Sequence, residues 1–327
     1  ALNPLTTELE YLATVPAFGV GSKSGVSSLY TDSDGEVYAM KLYGTDLDGG
    51  RIYKLVQSGT PSNPPQLLSA TGVFKDLSTL EPSDGVYPYS MNVPFWSDAA
   101  DKRRWLAIPN DGTHDSDTEQ VKFKESEEWD WPSGSIWIKH FDLQIDESNP
   151  NIKKRLETRI MVMGEDKKLY GLDYRWNDAE TDAVLETESR QDTITVQTAA
   201  GPKEVVWYYP GEQECMFCHN EAAGAVLGPN TRQMNFDQFY PRTGRTANQV
   251  YTLAHLGVFS EMPDTANLDR YLTASATNDE TLPLEDRARS YLDMNCAYCH
   301  QPGNAFQALF DARLSTPLEN QGYIYGP

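Results

Sequence analysis

A chain of 327 residues with 39% apolar content, seven Trp and eighteen Tyr is long enough for about two globular domains and too apolar to be disordered. Its formal net charge of −21 argues against binding to DNA or RNA phosphates and predicts salt-dependent association with a basic partner, unless the charge serves only solubility in an exported or marine setting. No apolar run approaches the roughly 18 residues of a membrane span.

The chain begins Ala1-Leu2-Asn3-Pro4, with no Met, basic n-region or apolar h-region, and is read as a mature product or a piece of something longer. Residues 1–60 read as a β segment. The turn Asp32-Ser33-Asp34-Gly35-Glu36 separates Leu29-Tyr30 from Val37-Tyr38-Ala39-Met40, and Gly49-Gly50 precedes Arg51-Ile52-Tyr53-Lys54-Leu55. Short strands around acidic Gly turns suggest a hairpin or part of a propeller blade. The Asp-rich turn is a weak calcium candidate, since it lacks the full EF-hand spacing.

Residues 58–66 have linker composition, and residues 61–210 read as a β-sandwich. Its strand candidates are Trp105–Ile108, Val121–Phe123, Ser135–Phe141, Leu156–Met163, Leu169–Tyr174, Thr193–Gln197 and Val205–Tyr209, with turns such as Asn110-Asp111-Gly112 between them. His114 falls in a polar acidic loop and is expected to be solvated. His140 lies in a strand pattern, where a hydrogen-bonded structural role is the better reading than a ligand. Trp96, Trp105, Trp129, Trp131 and Trp137 could form a sugar-binding platform, but aromatics in a sandwich are more often core.

From 211 the pattern changes to helix and loop. Thr246 is the expected cap of a helix running to Gly257, with Val250, Leu253 and Ala254 on its apolar face and His255 beside Tyr251. A second helix is expected from about Pro283, with Glu285 and Asp286 in its first turn and Leu284, Ala288, Tyr291 and Leu292 as its stripe. It runs into Cys296.

The chemistry concentrates in Cys215-Met216-Phe217-Cys218-His219 and Cys296-Ala297-Tyr298-Cys299-His300. Each is C-x-x-C-H, the attachment pattern of a c-type haem. Two thiols at this spacing can add to the two vinyl groups along one haem edge, and the following His then becomes the proximal iron ligand. All four cysteines of the chain fall in these motifs. The competing uses are weaker. A four-cysteine zinc site usually spaces its pairs by about 15–20 residues, far less than the stretch from Cys218 to Cys296. A thioredoxin-like pair needs a βαβ context that the pattern lacks, and disulfides would not call for a His after both pairs.

The sequence from 67 onward resembles a bacterial family of exported di-haem c-type proteins of largely unassigned function. The resemblance is carried by Leu68–Phe74 (Leu-Ser-Ala-Thr-Gly-Val-Phe), Val93–Asp98, Arg155–Arg159, Tyr174–Asn177, Tyr209–Asn220, Gly228–Asn235 and Arg287–Cys296. Residues 17–55, through Ala17-Phe18-Gly19, Asp34–Tyr38 and Gly50–Leu55, resemble the last blade of a glucose/sorbosone dehydrogenase propeller, to which members of the di-haem family are often fused. The resemblance implies the tail of a longer quinoprotein. The quinone cofactor PQQ would belong to an upstream propeller, and no quinone site is assigned to these residues. It implies a periplasmic or extracellular location, as c-type haem attachment itself does.

Together these readings predict a mixed fold: a β-rich N-terminal segment at 1–60, a β-sandwich at 61–210, and a mostly α-helical di-haem cytochrome c region at 211–327, incomplete at its C-terminus. The expected cofactors are two covalent haems held by Cys215, Cys218, Cys296 and Cys299, with His219 and His300 on iron. Met262, in Glu261-Met262-Pro263, and Met234 are candidate sixth ligands of the first haem. For the second, no Met or His follows His300; the choices are His255 or an unused Met upstream, an open iron, or a Met beyond Pro327, the last being favoured. Electron transfer from a quinoprotein-type dehydrogenase to an external acceptor is the leading function. A peroxidase-like enzyme with one open haem is the second, with His255, Glu261 or Glu221 as candidate distal groups. A structural module that displays haems in an oligomer or filament is the third.

Overall fold

A computed structural model of the chain describes residues 28–31, 33, 37–41, 51–54, 64–303 and 310–323. Strands β1 (Ser28–Thr31), β2 (Val37–Lys41) and β3 (Arg51–Lys54) pair antiparallel in that order, as the hairpin pattern predicts. Most of the calcium-candidate turn and much of the blade-like stretch lie outside the described residues, as do residues 58–63 of the linker.

A short hairpin, β4 (Phe74–Asp76) and β5 (Glu81–Pro82), precedes the central sheet. That sheet is a six-stranded antiparallel meander: β6 (Val86–Tyr89), β7 (Asp101–Ala107), β8 (Ile136–Gln144), β9 (Lys153–Met163), β10 (Leu169–Trp176) and β11 (Ala183–Glu186) pair in chain order. Strands β12 (Arg190–Thr198) and β13 (Gly201–Tyr209) form a separate two-stranded ribbon. Beyond it lie the helices α1 (Cys215–Cys218), α2 (Thr231–Met234), α3 (Gln249–His255), α4 (Leu284–Asn295) and α5 (Leu318–Gln321), with a hairpin of β14 (Asp237–Tyr240) and β15 (Arg245–Asn248) between α2 and α3.

Among the described residues the protein is mostly β-sheet, 34% strand against 16% helix, and the five helices there are short. This corrects the expected fold class. Within 61–210 the described strands form a six-stranded sheet, a short hairpin and a two-stranded ribbon, not two extended facing sheets of a sandwich, and the region after 210 is not mostly helical. The second error has a local cause. Asn, Asp and Thr side chains there bond the backbone in single turns: Asn220 Oδ1 accepts from Ala223 N–H at 3.0 Å, Asn230 Oδ1 from Gln233 N–H at 3.1 Å, and Asp279 Oδ1 from Thr281 N–H at 3.0 Å. Helix α3 is delayed for a related reason. Thr246 pairs with Phe239 in the β14–β15 hairpin, so Asn248 becomes the cap and accepts from Tyr251 N–H.

Both faces of the central sheet are apolar. On one, Trp105, Ile138, Ile160, Leu172, Tyr174 and Trp176 pack under Leu68, Val73, Phe74 and Leu80. On the other, Leu106, Trp137, Met161, Met163 and Leu169 belong to a core that continues through Val226, Met234, Val250, Leu253, Met294 and Tyr298. The short elements after 210 therefore bury their apolar side chains against the sheet, each large one contributing about 1.5–3 kcal/mol. The ribbon adds Ile194, Val196, Trp207 and Tyr209 against Phe141, Leu143 and Leu156. Trp105, Trp129, Trp131 and Trp137 are core; only Trp96 of the five tryptophans considered as a platform is exposed.

Helix α4 begins directly after Pro283 and carries Glu285 and Asp286 in its first turn, as predicted. Its buried face differs from the expected stripe. Leu284 is 72% exposed and Tyr291 is exposed, while Ser290, Asp293 and Met294 face inward. Polar bonds replace apolar contact: Ser290 Oγ accepts from Ser275 N–H at 2.8 Å, and Asp293 Oδ2 accepts from Arg232 Nε at 2.7 Å.

Candidate functional site

Register places three rows of side chains on the sheet face that carries the larger core. Tyr87, Leu106, Trp137, Met161 and Gly171 are successive cross-strand partners. The next row is Tyr89, Arg104, Lys139, Arg159, Asp173 and Glu186. Beyond it come Lys102, Phe141, Glu157 and Arg175. One face is thus apolar at one end and charged at the other.

The first motif lies down on this face. A Cβ on Gly171 would stand 2.8 Å from Cys215 Sγ and 3.0 Å from Met161 Sδ, so only glycine leaves room for α1 to seat its first thiol on β10. The approach is fixed from β13: after Tyr209 and Pro210, Gly211 N–H donates to Glu214 Oε2 at 2.8 Å. His219 closes the α1 turn, its N–H donating to Cys215 O at 3.0 Å. Gly224 and Ala225 both take positive φ, 77° and 59°, and the Ala225 carbonyl comes within 2.9 Å of His219 Nδ1. A carbonyl only accepts, so Nδ1 carries the proton and Nε2 keeps its lone pair. Burial, then the positive charge of Lys139, with Arg159 adding to it, push the imidazole down to about 4, against the Ala225 bond. The ring is neutral at pH 7, the form in which imidazole binds a metal.

Burial pushes the Cys215 thiol up to about 11, with Asp173 and Glu157 acting in the same direction and Arg159 and Lys139 opposing. Reactive redox dithiols need the opposite shift, so a thioredoxin-like use of this pair is disfavoured.

The second motif is delivered by α4. Cys296 N–H donates to Leu292 O at 2.8 Å and His300 N–H to Cys296 O at 2.8 Å. The His300 ring stacks on Phe310, 4.2 Å between centroids and 12° between planes. Its Nδ1 is buried and has no partner among the described residues. The segment after Phe310 is tied to the same helix: Arg289 Nη2 donates to Leu314 O at 3.1 Å and to Thr316 O at 2.7 Å, and the Ala312 N–H donates to His300 O at 2.8 Å.

The two motifs converge. Burial, then the nearby Cys218 and Cys296 thiols, push the Cys299 thiol up. Phe95 joins the second motif to the charged row of the sheet: Lys139 Nζ stands 5.2 Å from its ring centroid, and the ring lies 5.4 Å from Tyr298, inside the second motif. Trp96 N–H donates to Asn295 Oδ1 at 2.7 Å. All four thiols are free. Among the described residues no three His, Cys, Asp or Glu side chains are grouped to hold a metal.

The candidate sixth ligands are scattered. Met234 is 1% exposed, in the core that also packs Cys215 and Met216. Met262 is 62% exposed. His255 is exposed and stacks on Tyr251, planes 2° apart. Motif spacing does not point to Met161, which lies upstream of the motif and which β9 carries to Cys215. His140 is a core residue, its Nδ1 2.8 Å from Thr158 Oγ1 and its Nε2 3.0 Å from Asp142 Oδ1. His114 is half-buried and not solvated as expected, its Nδ1 2.7 Å from Glu119 O. No helix among the described residues is long and apolar enough to cross a membrane.

Compared with known proteins, the chain matches no family model, no curated protein and no solved structure.

Proposed function

We propose that the chain is an exported di-haem c-type electron carrier. Cys215 and Cys218 with His219 would hold one haem, and Cys296 and Cys299 with His300 the other. The observation that carries the proposal is the pair of C-x-x-C-H motifs, which use every cysteine of the chain and converge in space although far apart in sequence. The neutral His219, with Nδ1 committed to Ala225 O and Nε2 left with its lone pair, supports the assignment of that ring to iron.

Haem supplies reversible one-electron chemistry. The chain's part is to fix the two thiols and the imidazole of each motif on short, hydrogen-bonded turns, and to hold the motifs close enough for an internal relay. Phe95 packs its ring on Tyr298 of the second motif, 5.4 Å between centroids. The net charge of −21 favours a basic redox partner. In this reading the donor is a quinoprotein-type dehydrogenase, in line with the family resemblance, and the setting is periplasmic or extracellular.

The test is a coulometric titration of the purified protein with electron paramagnetic resonance of the oxidised form. A carrier takes up two electrons per chain and shows low-spin ferric signals. A stoichiometric high-spin signal with peroxide turnover would replace the carrier by a peroxidase-like enzyme.

A further inference from the structure

We infer that Arg104, Lys139 and Arg159, with Lys102 at the edge of the row, form a cradle for the propionate carboxylates of the haem carried by Cys215, Cys218 and His219, an inference that rests on the di-haem reading. The register is the first ground. Arg104 faces Lys139 and Lys139 faces Arg159 on successive strands. Directly opposed like charges on one sheet face destabilise the sheet, and here two such pairs are adjacent. A protein of net charge −21 that gathers cations on a covered sheet face, and not on its outer surface, has placed them for something held at that face.

The second ground is missing partners. Arg104 is 8% exposed, and its Nη2 is buried without a hydrogen bond. Arg159 pairs with Glu157, yet its Nε is also buried and unbonded. Among the described residues no carboxylate pairs with Lys102, Arg104 or Lys139. Lys102 donates to Phe95 O, and Lys139 lies against the Phe95 ring. Asp173, at the end of the row, is a poor counter-ion. Burial, and then Glu157, hold its carboxyl well above the usual carboxylate range. An unpaired buried cation costs several kcal/mol, and a dianionic ligand removes that cost.

The third ground is position. Lys139 and Arg159 are the cations that act on His219 and on Cys215. A cleft of about 510 Å³ opens beside the row, lined in part by Phe95, Trp96, Lys102, Arg104 and Tyr291. A group anchored at Cys215 and His219 therefore has cations beside it and space at the edge. Burial, then Arg104, with Lys139 and Arg159 adding, push Lys102 down to about 6, so that without an anion beside it the amine is neutral at pH 7. Carboxylates are the chemistry that the row fits; a free dicarboxylate or phosphate shares it, and the test separates these sources.

The experiment uses the full chain, with haem at both motifs verified on the denatured protein. Absence of haem from the first motif would overturn the di-haem reading itself and is seen at this step. Lys139→Gln and Arg104→Gln are then compared with the unsubstituted protein by proton NMR of the haem propionate methylenes and by the potentials of the two haems. The cradle predicts shifted propionate resonances and a lowered potential for the first haem, with the second unmoved, and Lys139→Arg restoring both. Unmoved propionate resonances in both glutamine variants overturn it, whatever the potential does. So does calorimetric binding of one phosphate or succinate by the unsubstituted holoprotein that Lys139→Gln abolishes, which would make the row a site for a free anion.

Discussion

Arg232 Nε donates to Asp293 Oδ2 at 2.7 Å, joining α2 to the helix that delivers the second motif, and both side chains are buried. The guanidinium also reaches Glu128 Oε1 at 2.7 Å, and Asp293 Oδ1 accepts from Leu314 N–H at 2.9 Å. One carboxylate thus fastens α4 to the sheet-packed region on one side and to the C-terminal segment on the other. Breaking a buried ion pair by removing one partner leaves an uncompensated charge, at a cost of about 3–5 kcal/mol. Asp293→Ala should lose that much in urea unfolding, and the Arg232→Met, Asp293→Leu double variant should lose less. A single-variant loss below about 1 kcal/mol would remove this pair from the account.

Gly171 should resist substitution. A Cβ there meets Cys215 Sγ at 2.8 Å, which no real contact sustains, and Cys215 cannot retreat without lifting α1 from β10. Gly171→Ala is expected to cost about 1–3 kcal/mol and to reduce haem at the first motif while sparing the second. Equal occupancy at both motifs would contradict the seating described for Cys215.

Stability should fall with acid in a window set by His140. The buried imidazole is bonded to Thr158 and Asp142, with Arg103 and Arg155 close by and Trp176 Nε1 donating to the same Thr158 hydroxyl at 3.0 Å. Burial lowers its pKa from 6.5 in spite of Asp142. The unfolded chain therefore takes up the proton first. The contribution is complete above about pH 6.5 and is lost as pH falls through the folded value. Asp142, held below 3.8 although burial alone would raise it, because His140 and Arg103 oppose that rise, acts in the same direction at still lower pH. The urea midpoint should drop between pH 7 and pH 5, and His140→Phe should flatten that slope while costing roughly 1–3 kcal/mol at pH 7. An unchanged slope would locate the titrating group elsewhere.

Among the methionines, Met161 and Met262 should behave differently. Met161 is buried beside Cys215, whereas Met262 is largely in solvent. Met161→Leu is expected to change the absorption and potential of the first haem, and Met262→Leu to leave both as they were. The reverse result would return the sixth ligand to the loop around Pro263.

What could be read from the chain alone divides along physical lines. The strands of the central sheet are legible because alternation and β-branched or aromatic residues mark them locally, as in Ile136-Trp137-Ile138. Helix α4 is legible because Pro283 and the acidic first turn announce its start. Its inward face is not, since Asp293 and Ser290 look like surface residues until Arg232 and the Ser275 amide, far off in sequence, are brought to them. The same holds for the site. Spacing alone singles out Cys215, Cys218, His219, Cys296, Cys299 and His300. The row of Arg104, Lys139 and Arg159 exists only through cross-strand register, and the seat for Cys215 only through Gly171 and Met161. The expectation of a helical cytochrome region extended what C-x-x-C-H usually accompanies and overlooked that the turns capped by Asn220 and Asn230 between the motifs end after a single turn each.

Each C-x-x-C-H motif is proposed to carry its own covalent haem. Intact mass of the denatured protein, followed by mass mapping of the peptides that contain Cys215–His219 and Cys296–His300, tests it most directly. Two haems per chain are expected, one on each peptide, with Cys215→Ala reducing only the first and Cys296→Ala only the second. Unmodified thiols on both peptides, or retained zinc in place of haem, would contradict it.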